Sequence, residues 1–96
     1  MKLLEIQREI KQKRKFREGN YVIRVNLENP GDEFQEFLKV NVMEDGKVVA
    51  KAIFKQWNAG GRWEPLSITV TEHTKKTSLR EMMYNAASSA GFFLKD

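Results

Sequence analysis

Residues 36–71 read EFLKVNVMEDGKVVAKAIFKQWNAGGRWEPLSITVT, and this stretch decides the fold because it encodes two β-hairpins. In the runs 38–42 and 48–55 the even positions are apolar, while most odd positions are polar or basic. This period of two predicts strands with one buried face. Residues directly opposite in an antiparallel pair share a face, so the register must place even positions opposite even positions.

The first hairpin can turn in two ways. A two-residue turn at 45–46 would place Val40 opposite Lys51 and break the even-to-even rule. A three-residue loop at 44–46 keeps the rule by pairing Val40 with Ala50, and its glycine suits the left-handed position of a turn followed by a bulge. The sequence therefore favours the three-residue loop.

The second hairpin is treated in the same way. A loop at 59–61 keeps even positions opposite even positions. This register predicts three facing pairs, which are Phe54 with Leu66, Ala52 with Ile68, and Trp57 with Trp63.

Together the two registers place basic and aromatic side chains on one face of the sheet. These are Lys39, Lys51, Lys55, Trp57 and Trp63. Lys39 falls opposite Lys51, and like charges across a sheet destabilise it by a few tenths of a kcal/mol, so the pair favours a nearby anion. Aromatic planes between cations suit stacked bases along a phosphate backbone, at about 1 to 3 kcal/mol per base. The alternative is that the tryptophans steady the hairpin and the lysines keep the face soluble.

Composition indicates one small domain. The chain has 96 residues and no cysteine, which fits a reducing compartment and excludes a disulfide framework or a cysteine metal site. No apolar run approaches the roughly 18 residues that span a bilayer, and the first residues soon turn charged instead of forming a signal-peptide stretch. A cytoplasmic or nucleoid-associated protein is expected.

The net charge of +4 belongs to the first 18 residues. Apolar residues at helical spacing predict an amphipathic helix over 2–17, within a basic N-terminal segment, 1–18, that precedes a single domain over 19–96. The basic residues that could widen a phosphate-binding surface are Lys11, Lys13, Arg14, Lys15 and Arg17. A solvated helix face is the alternative explanation for this run.

The remaining elements complete an α+β fold. Residues 21–27 alternate as a first strand that adds Arg24 to the polar face, and 78–81 have the spacing of a capping box for a last helix that ends at Gly91. We expect a four-stranded antiparallel meander covered on one face by this helix. Small residues at 86–90 permit close approach of the sheet or of a second copy, and the apolar end at 92–94 must enter the core or meet a partner.

Catalytic chemistry has little support. His73 is the single histidine and lies in a loop-like segment, where an exposed turn residue is expected instead of a general base. The glycines at 60–61 form a hairpin turn and lack the helix and lysine of a phosphate loop. The sequence predicts a binding protein, with no enzyme activity, no metal site and no cofactor.

The hairpins resemble the single-stranded-DNA-binding domain of the positive cofactor four transcriptional coactivators. The resemblance covers roughly residues 20–90 and is carried by the run 40–47, the strand ending in Lys55-Gln56-Trp57, the glycine turn, the run 67–70 and the final helix. It implies dimers paired through that helix, with sheets that grip single strands. It also implies that Trp57 corresponds to the tryptophan that ends a strand in the family. Lys39, Lys51 and Lys55 would correspond to the family's basic strand positions. Glu64 stands near a segment that is basic in the family.

The expected function is therefore binding of single-stranded nucleic acid, DNA in the first place, with low sequence specificity and a role in transcription or replication. Trp57 and Trp63 would stack bases, while Arg24, Arg62 and the three strand lysines would neutralise phosphates. The alternative is a small protein-interaction module or phage-type regulator, in which the same tryptophans would form a hot spot. On the first hypothesis the partners are a single strand of nucleic acid and a second copy of the chain.

Overall fold

The computed structural model describes residues 14–28, 36–58 and 60–95. These residues form five strands followed by one helix. The elements are β1 (Lys15–Glu18), β2 (Tyr21–Glu28), β3 (Phe37–Glu44), β4 (Lys47–Gln56), β5 (Trp63–Val70) and α1 (Lys76–Ser89), which directly follows a 3₁₀ turn at His73–Lys75. The strands form one antiparallel sheet in sequence order. The predicted meander covered by a C-terminal helix is confirmed, but it has five strands in place of four.

The additional strand is β1, in a segment that was predicted to be helical. Phe16 lies opposite Ile23 on the covered side, while its basic neighbours Lys15 and Arg17 point to the other side. Gly19 has φ +59° and allows the tight turn into β2. The helix prediction is wrong at residues 15–17 because pairing with β2 satisfies the backbone and packs the half-buried Phe16 against the core. The rest of the predicted helix lies outside the described residues.

The core lies between one face of the sheet and α1. Seven large side chains are almost completely enclosed, and they are Ile23, Val25, Leu38, Val40, Val42, Phe54 and Met83. On the helix, Leu79, Ala86, Ala87 and Ala90 are buried as well. Short alanine side chains let the helix lie close to the sheet, so the three alanines at this position pack within the chain.

Only the C-terminal end of α1 has a clear local cause. The helix begins at Lys76, two residues before the proposed capping box, and Lys75 occupies the N-cap position without a side-chain cap, so the capping prediction is wrong. The other end is a Schellman motif, in which Phe92 N–H donates to the Ala87 carbonyl and Gly91 N–H to the Ser88 carbonyl. Gly91 has φ +98°, as this motif requires, and the predicted end is confirmed.

The first hairpin departs from the predicted register. Its turn is the two-residue turn, because Glu44 pairs with Lys47 and the turn residues Asp45 and Gly46 both have positive φ, 52° and 78°. A bulge follows at Val49, after which even positions again lie opposite even positions. The bulge removes the conflict that had argued against the short turn. The predicted pairing of Val40 with Ala50 is therefore wrong, as Ala50 pairs with Val42.

The second hairpin keeps only part of its predicted register. Ala52 pairs with Ile68 as expected. Beyond this pair β5 carries a bulge, and Phe54 lies opposite Pro65 instead of Leu66. The bulge shifts the remaining residues of β5 by one position, so their side chains exchange faces. This exchange decides the position of Trp63.

The C-terminal segment folds back onto the edge strand β5. Leu94 forms a parallel bridge with Trp63, whose N–H donates to the Phe93 carbonyl at 2.8 Å and whose carbonyl accepts from Lys95 N–H at 2.8 Å. Phe92 and Leu94 pack against the core, while the Phe93 side chain is 79% exposed. The apolar end thus enters the core at two of its three residues. None of the helices in the described ranges is long and apolar enough to cross a membrane.

Candidate nucleic-acid interface

The face of the sheet that is turned away from α1, here called the open face, carries a polar row across all five strands. The strand registers align one residue from each strand in this row, namely Lys15, Arg24, Asn41, Lys51 and Thr69. Neighbouring strands lie about 4.8 Å apart, so the whole row spans about 19 Å. Three of its five members are basic, and we call it the basic row.

The electrostatics of the basic row are unfavourable for the protein alone. Lys15 and Arg24 lie directly opposite each other, and Lys51 follows two strands further on. None of the three forms an ion pair with another described residue. Like charges in directly opposed positions destabilise a sheet. A bound anion would remove this repulsion, and a phosphate chain could contact several of these cations at once.

Lys39 does not belong to the basic row. It lies opposite Asn26 and Ile53, so the predicted pair of Lys39 and Lys51 is wrong. Its ammonium instead forms an ion pair with the Glu28 carboxylate at 2.9 Å. The error follows from the two-residue turn and the bulge together, which move β4 by two residues along β3 relative to the predicted register. Lys39 remains on the open face, but its charge is balanced in place.

Trp57 lies on the surface just beyond the end of β4, and its role as a stacking residue stays a prediction. Its side chain is 60% exposed, and the Lys55 ammonium lies 4.4 Å from the centre of its ring. This cation–π contact orients the ring beside a positive charge. The exposed part of the ring remains accessible to a second flat group, and the adjacent ammonium suits the phosphate that would accompany a base.

Trp63 is not on the open face. It lies opposite Gln56 instead of Trp57, is only 7% exposed, and makes an edge-to-face contact with Phe92 at 5.8 Å between ring centres. The cause is the bulge at Leu66, which turns the residues before it to the covered side. The predicted stacking role of Trp63 is therefore corrected to a role in the core.

A carboxylate near the site is neutralised by the C-terminal segment. Glu64 lies opposite Lys55, and its Oε1 also forms a 2.7 Å ion pair with the Lys95 ammonium. A shallow depression beside Trp57 is lined by Glu64, Lys95 and the exposed Arg62. Lys95 was missed because its position depends on the docking of the C-terminal segment onto Trp63, for which a sequence has no local signal.

The N-terminal candidates divide into three groups. Lys15 and Arg17 lie on the open face. Arg14 is half-buried on the other side, where its guanidinium lies 5.6 Å from the centre of the Phe92 ring, so it does not join the interface. Lys11 and Lys13 lie outside the described residues. Their contribution to phosphate binding stays a prediction.

The open face also contains an apolar groove that sequence reasoning missed. Its apolar walls are Phe37, Ile53 and Leu66, which come from three neighbouring strands. Leu66 was predicted to be in the core, but the β5 bulge leaves it 50% exposed beside Ser67. Alternation alone could not reveal this groove because one of its walls depends on the bulge.

Among the described residues, no group of three or more histidine, aspartate or glutamate side chains is arranged to hold a metal ion. No protein-family model, curated protein or solved structure matches this chain.

Proposed function

We propose that this protein binds single-stranded nucleic acid, DNA in the first place, through the open face of its sheet and with low sequence specificity. The observation that carries the proposal is the basic row, in which Lys15, Arg24 and Lys51 lie on one line without an acidic partner among the described residues. Such a row follows a phosphate backbone, and it contains no arrangement for reading the edges of paired bases.

Single strands are favoured over duplexes because of Trp57. An exposed ring beside a lysine can stack on a base only when that base is unpaired and turned outward. The resemblance to the positive cofactor four domains adds support, since the tryptophan that it carries over is this same residue. A role in transcription or replication and a cytoplasmic or nucleoid location would follow from this activity.

The test is a fluorescence titration with an unstructured oligonucleotide. The chain has two tryptophans, and the buried one supplies a constant background, so quenching on binding should come from Trp57. The variant Trp57→Phe should lose the signal, and Trp57→Ala should weaken binding by about 1 to 3 kcal/mol. Saturating binding with unchanged emission would remove the stacking role.

Salt dependence tests the basic row separately. Three phosphate contacts should give a log–log slope of about −2 for a single strand, at about −0.7 for each contact. Lys51→Gln should make the slope shallower by one contact, whereas Lys75→Gln, which removes a charge beside Tyr21 on the covered side of the sheet, should not change it. A slope near zero for the unmodified protein would refute phosphate binding.

A second candidate is a protein-interaction module. The observation that favours it is Phe93, a large apolar side chain that is 79% exposed at the end of the C-terminal segment. An apolar protein contact would be nearly independent of salt, in contrast to phosphate binding. If Phe93→Ser no longer binds a protein partner that the unmodified protein binds, while its oligonucleotide affinity is unchanged, the result would support this second function.

A dimer paired through α1 stays part of the proposal. Ala87 is completely buried on the side of α1 that faces the sheet. The pairing surface must therefore be the outer side of α1, where Ser88 is exposed. Light scattering across a dilution series should show twice the monomer mass, and Ser88→Arg should reduce it to the monomer. A monomer at all micromolar concentrations would refute the dimer without affecting the basic row.

A further inference from the structure

The apolar groove on the open face is a shallow depression between Lys51 and Lys55 of β4. Phe37 lies directly opposite Lys55, and Ile53 lies between Lys51 and Lys55 along β4. Alternate residues of a strand are about 6.6 Å apart, so one lysine side chain begins on each side of the groove. The described residues of α1 and of the C-terminal segment lie against the opposite face of the sheet or along the edge of the sheet.

One rim of the groove is polar. Glu28 and Lys39 line it and form their 2.9 Å ion pair there, with Ser67 at the opposite side. The pair offers an acceptor and a donor next to each other. A flat group that enters the groove can therefore bury its faces against apolar walls and direct a polar edge toward the rim.

These features fit a nucleobase better than an aliphatic or aromatic protein side chain. A base has two apolar faces, an edge with adjacent donors and acceptors, and a phosphate on each side. The groove supplies apolar contact from Phe37 and Leu66 and a polar pair at the rim, and Lys51 of the basic row lies two residues from Ile53, where it can contact the phosphate of the same nucleotide. An aliphatic side chain would leave the ion pair at the rim without a polar partner and would bring no charge to the lysines.

We propose that the groove formed by Phe37, Ile53 and Leu66 binds one unpaired nucleobase of the strand that follows the basic row, with Glu28 and Lys39 contacting the edge of that base. This inference rests on the proposed function and adds a second base-binding position to that of Trp57. Phe37 and Leu66 then provide the second base contact that the sequence predicts for Trp63.

The experiment compares two probes of equal charge. One is an unstructured oligonucleotide of about 12 nucleotides, within the usual footprint of small single-strand-binding domains, and the other is an abasic strand of the same length. The protein variants are Phe37→Ala and, as a matched control, Val48→Ala, which truncates another half-exposed apolar residue on the same face away from the groove. Circular dichroism melting checks that each variant is folded.

We expect Phe37→Ala to weaken binding of the base-containing strand by about 5-fold to 150-fold, the range that corresponds to loss of one stacked base. Its affinity for the abasic strand should stay within 2-fold of the unmodified protein, and Val48→Ala should change neither affinity.

Equal losses for both probes, or unchanged affinity of Phe37→Ala for the base-containing strand, would overturn the groove proposal while leaving the phosphate contacts of the basic row in place. If the unmodified protein binds neither probe, the proposed function fails and the groove proposal fails with it. If Phe37→Ala unfolds, Leu66→Ser replaces it, because this exposed wall residue can be changed without opening the core.

Discussion

Replacing Arg24 with glutamine should stabilise the folded protein and weaken nucleic-acid binding at the same time. Arg24 is exposed in the middle of β2, directly opposite Lys15 on one side and two strands from Lys51 on the other. Glutamine keeps much of the side-chain length and removes the charge. The two effects should have opposite signs because the same charge repels its neighbours in the free protein and attracts phosphate in the complex.

The size of the stabilisation follows from Coulomb's law. With charges about 6 Å apart for Lys15 and about 10 Å for Lys51, repulsion in water amounts to about 0.7 and 0.4 kcal/mol. Screening at an ionic strength of about 0.01 M leaves a sum of about 0.9 kcal/mol, and at about 1 M it leaves about 0.1 kcal/mol. Since about 1 kcal/mol moves the Tm of a domain of this size by about 4 to 8 °C, a clear rise is expected at low salt only.

The assay is a pair of thermal melts at the two salt concentrations, combined with an oligonucleotide titration. Arg24→Gln should raise Tm at low salt, leave it nearly unchanged at high salt, and make the log–log salt slope of binding shallower by about 0.7. Lys75→Gln is the control for binding because it removes an equal charge beside Tyr21 on the covered side of the sheet. A fall in Tm of the same size at both salt concentrations, or unchanged binding, would refute the basic row as a repulsive, phosphate-binding surface.

Three further changes test other parts of the structure. Gly91→Ala should lower the free energy of unfolding by about 1 to 2 kcal/mol through the positive φ alone, since an added Cβ meets no atom within 4 Å, and urea unfolding would show it. Asp45→Val should cost about 1 kcal/mol or more in the same assay, whereas Asp45→Asn should not be destabilising, because asparagine tolerates the left-handed turn position. Lys95→Glu should leave Glu64 with a like-charged neighbour and weaken oligonucleotide affinity at low salt. Equal affinity of the variant and the unmodified protein at low salt would contradict this.

The rule that even positions lie opposite even positions was sufficient for the face of most strand residues. Val40, Ala52 and Phe54 are buried, and Lys51 and Lys55 lie on the open face, as the alternation predicts. The rule could not determine which even positions pair. A bulge adds one residue to one strand, so beyond it every residue of that strand has a different partner and its side chain turns to the opposite face.

The N-terminal strand illustrates a different limit. The segment around Phe16 contains too few apolar residues to separate a thin helical stripe from a short alternating strand. The decision depends on a partner elsewhere in the chain, since Phe16 is half-buried only when Ile23 lies opposite it. This pairing also moved Lys15 and Arg17 from a separate basic helix into the sheet. The basic surface is consequently continuous across the strands, which no local pattern in the first 18 residues indicates.

The bulge in β5 explains why the predicted pair of stacking tryptophans is divided. A regular strand would have placed Trp63 on the open face and Leu66 in the core. With the additional residue at Leu66, Trp63 instead turns inward, where it contacts Phe92 and receives the C-terminal segment. The same shift brings Leu66 outward to close the groove beside Phe37. One irregularity therefore anchors the chain end that carries Lys95 and forms the groove in which we place a base.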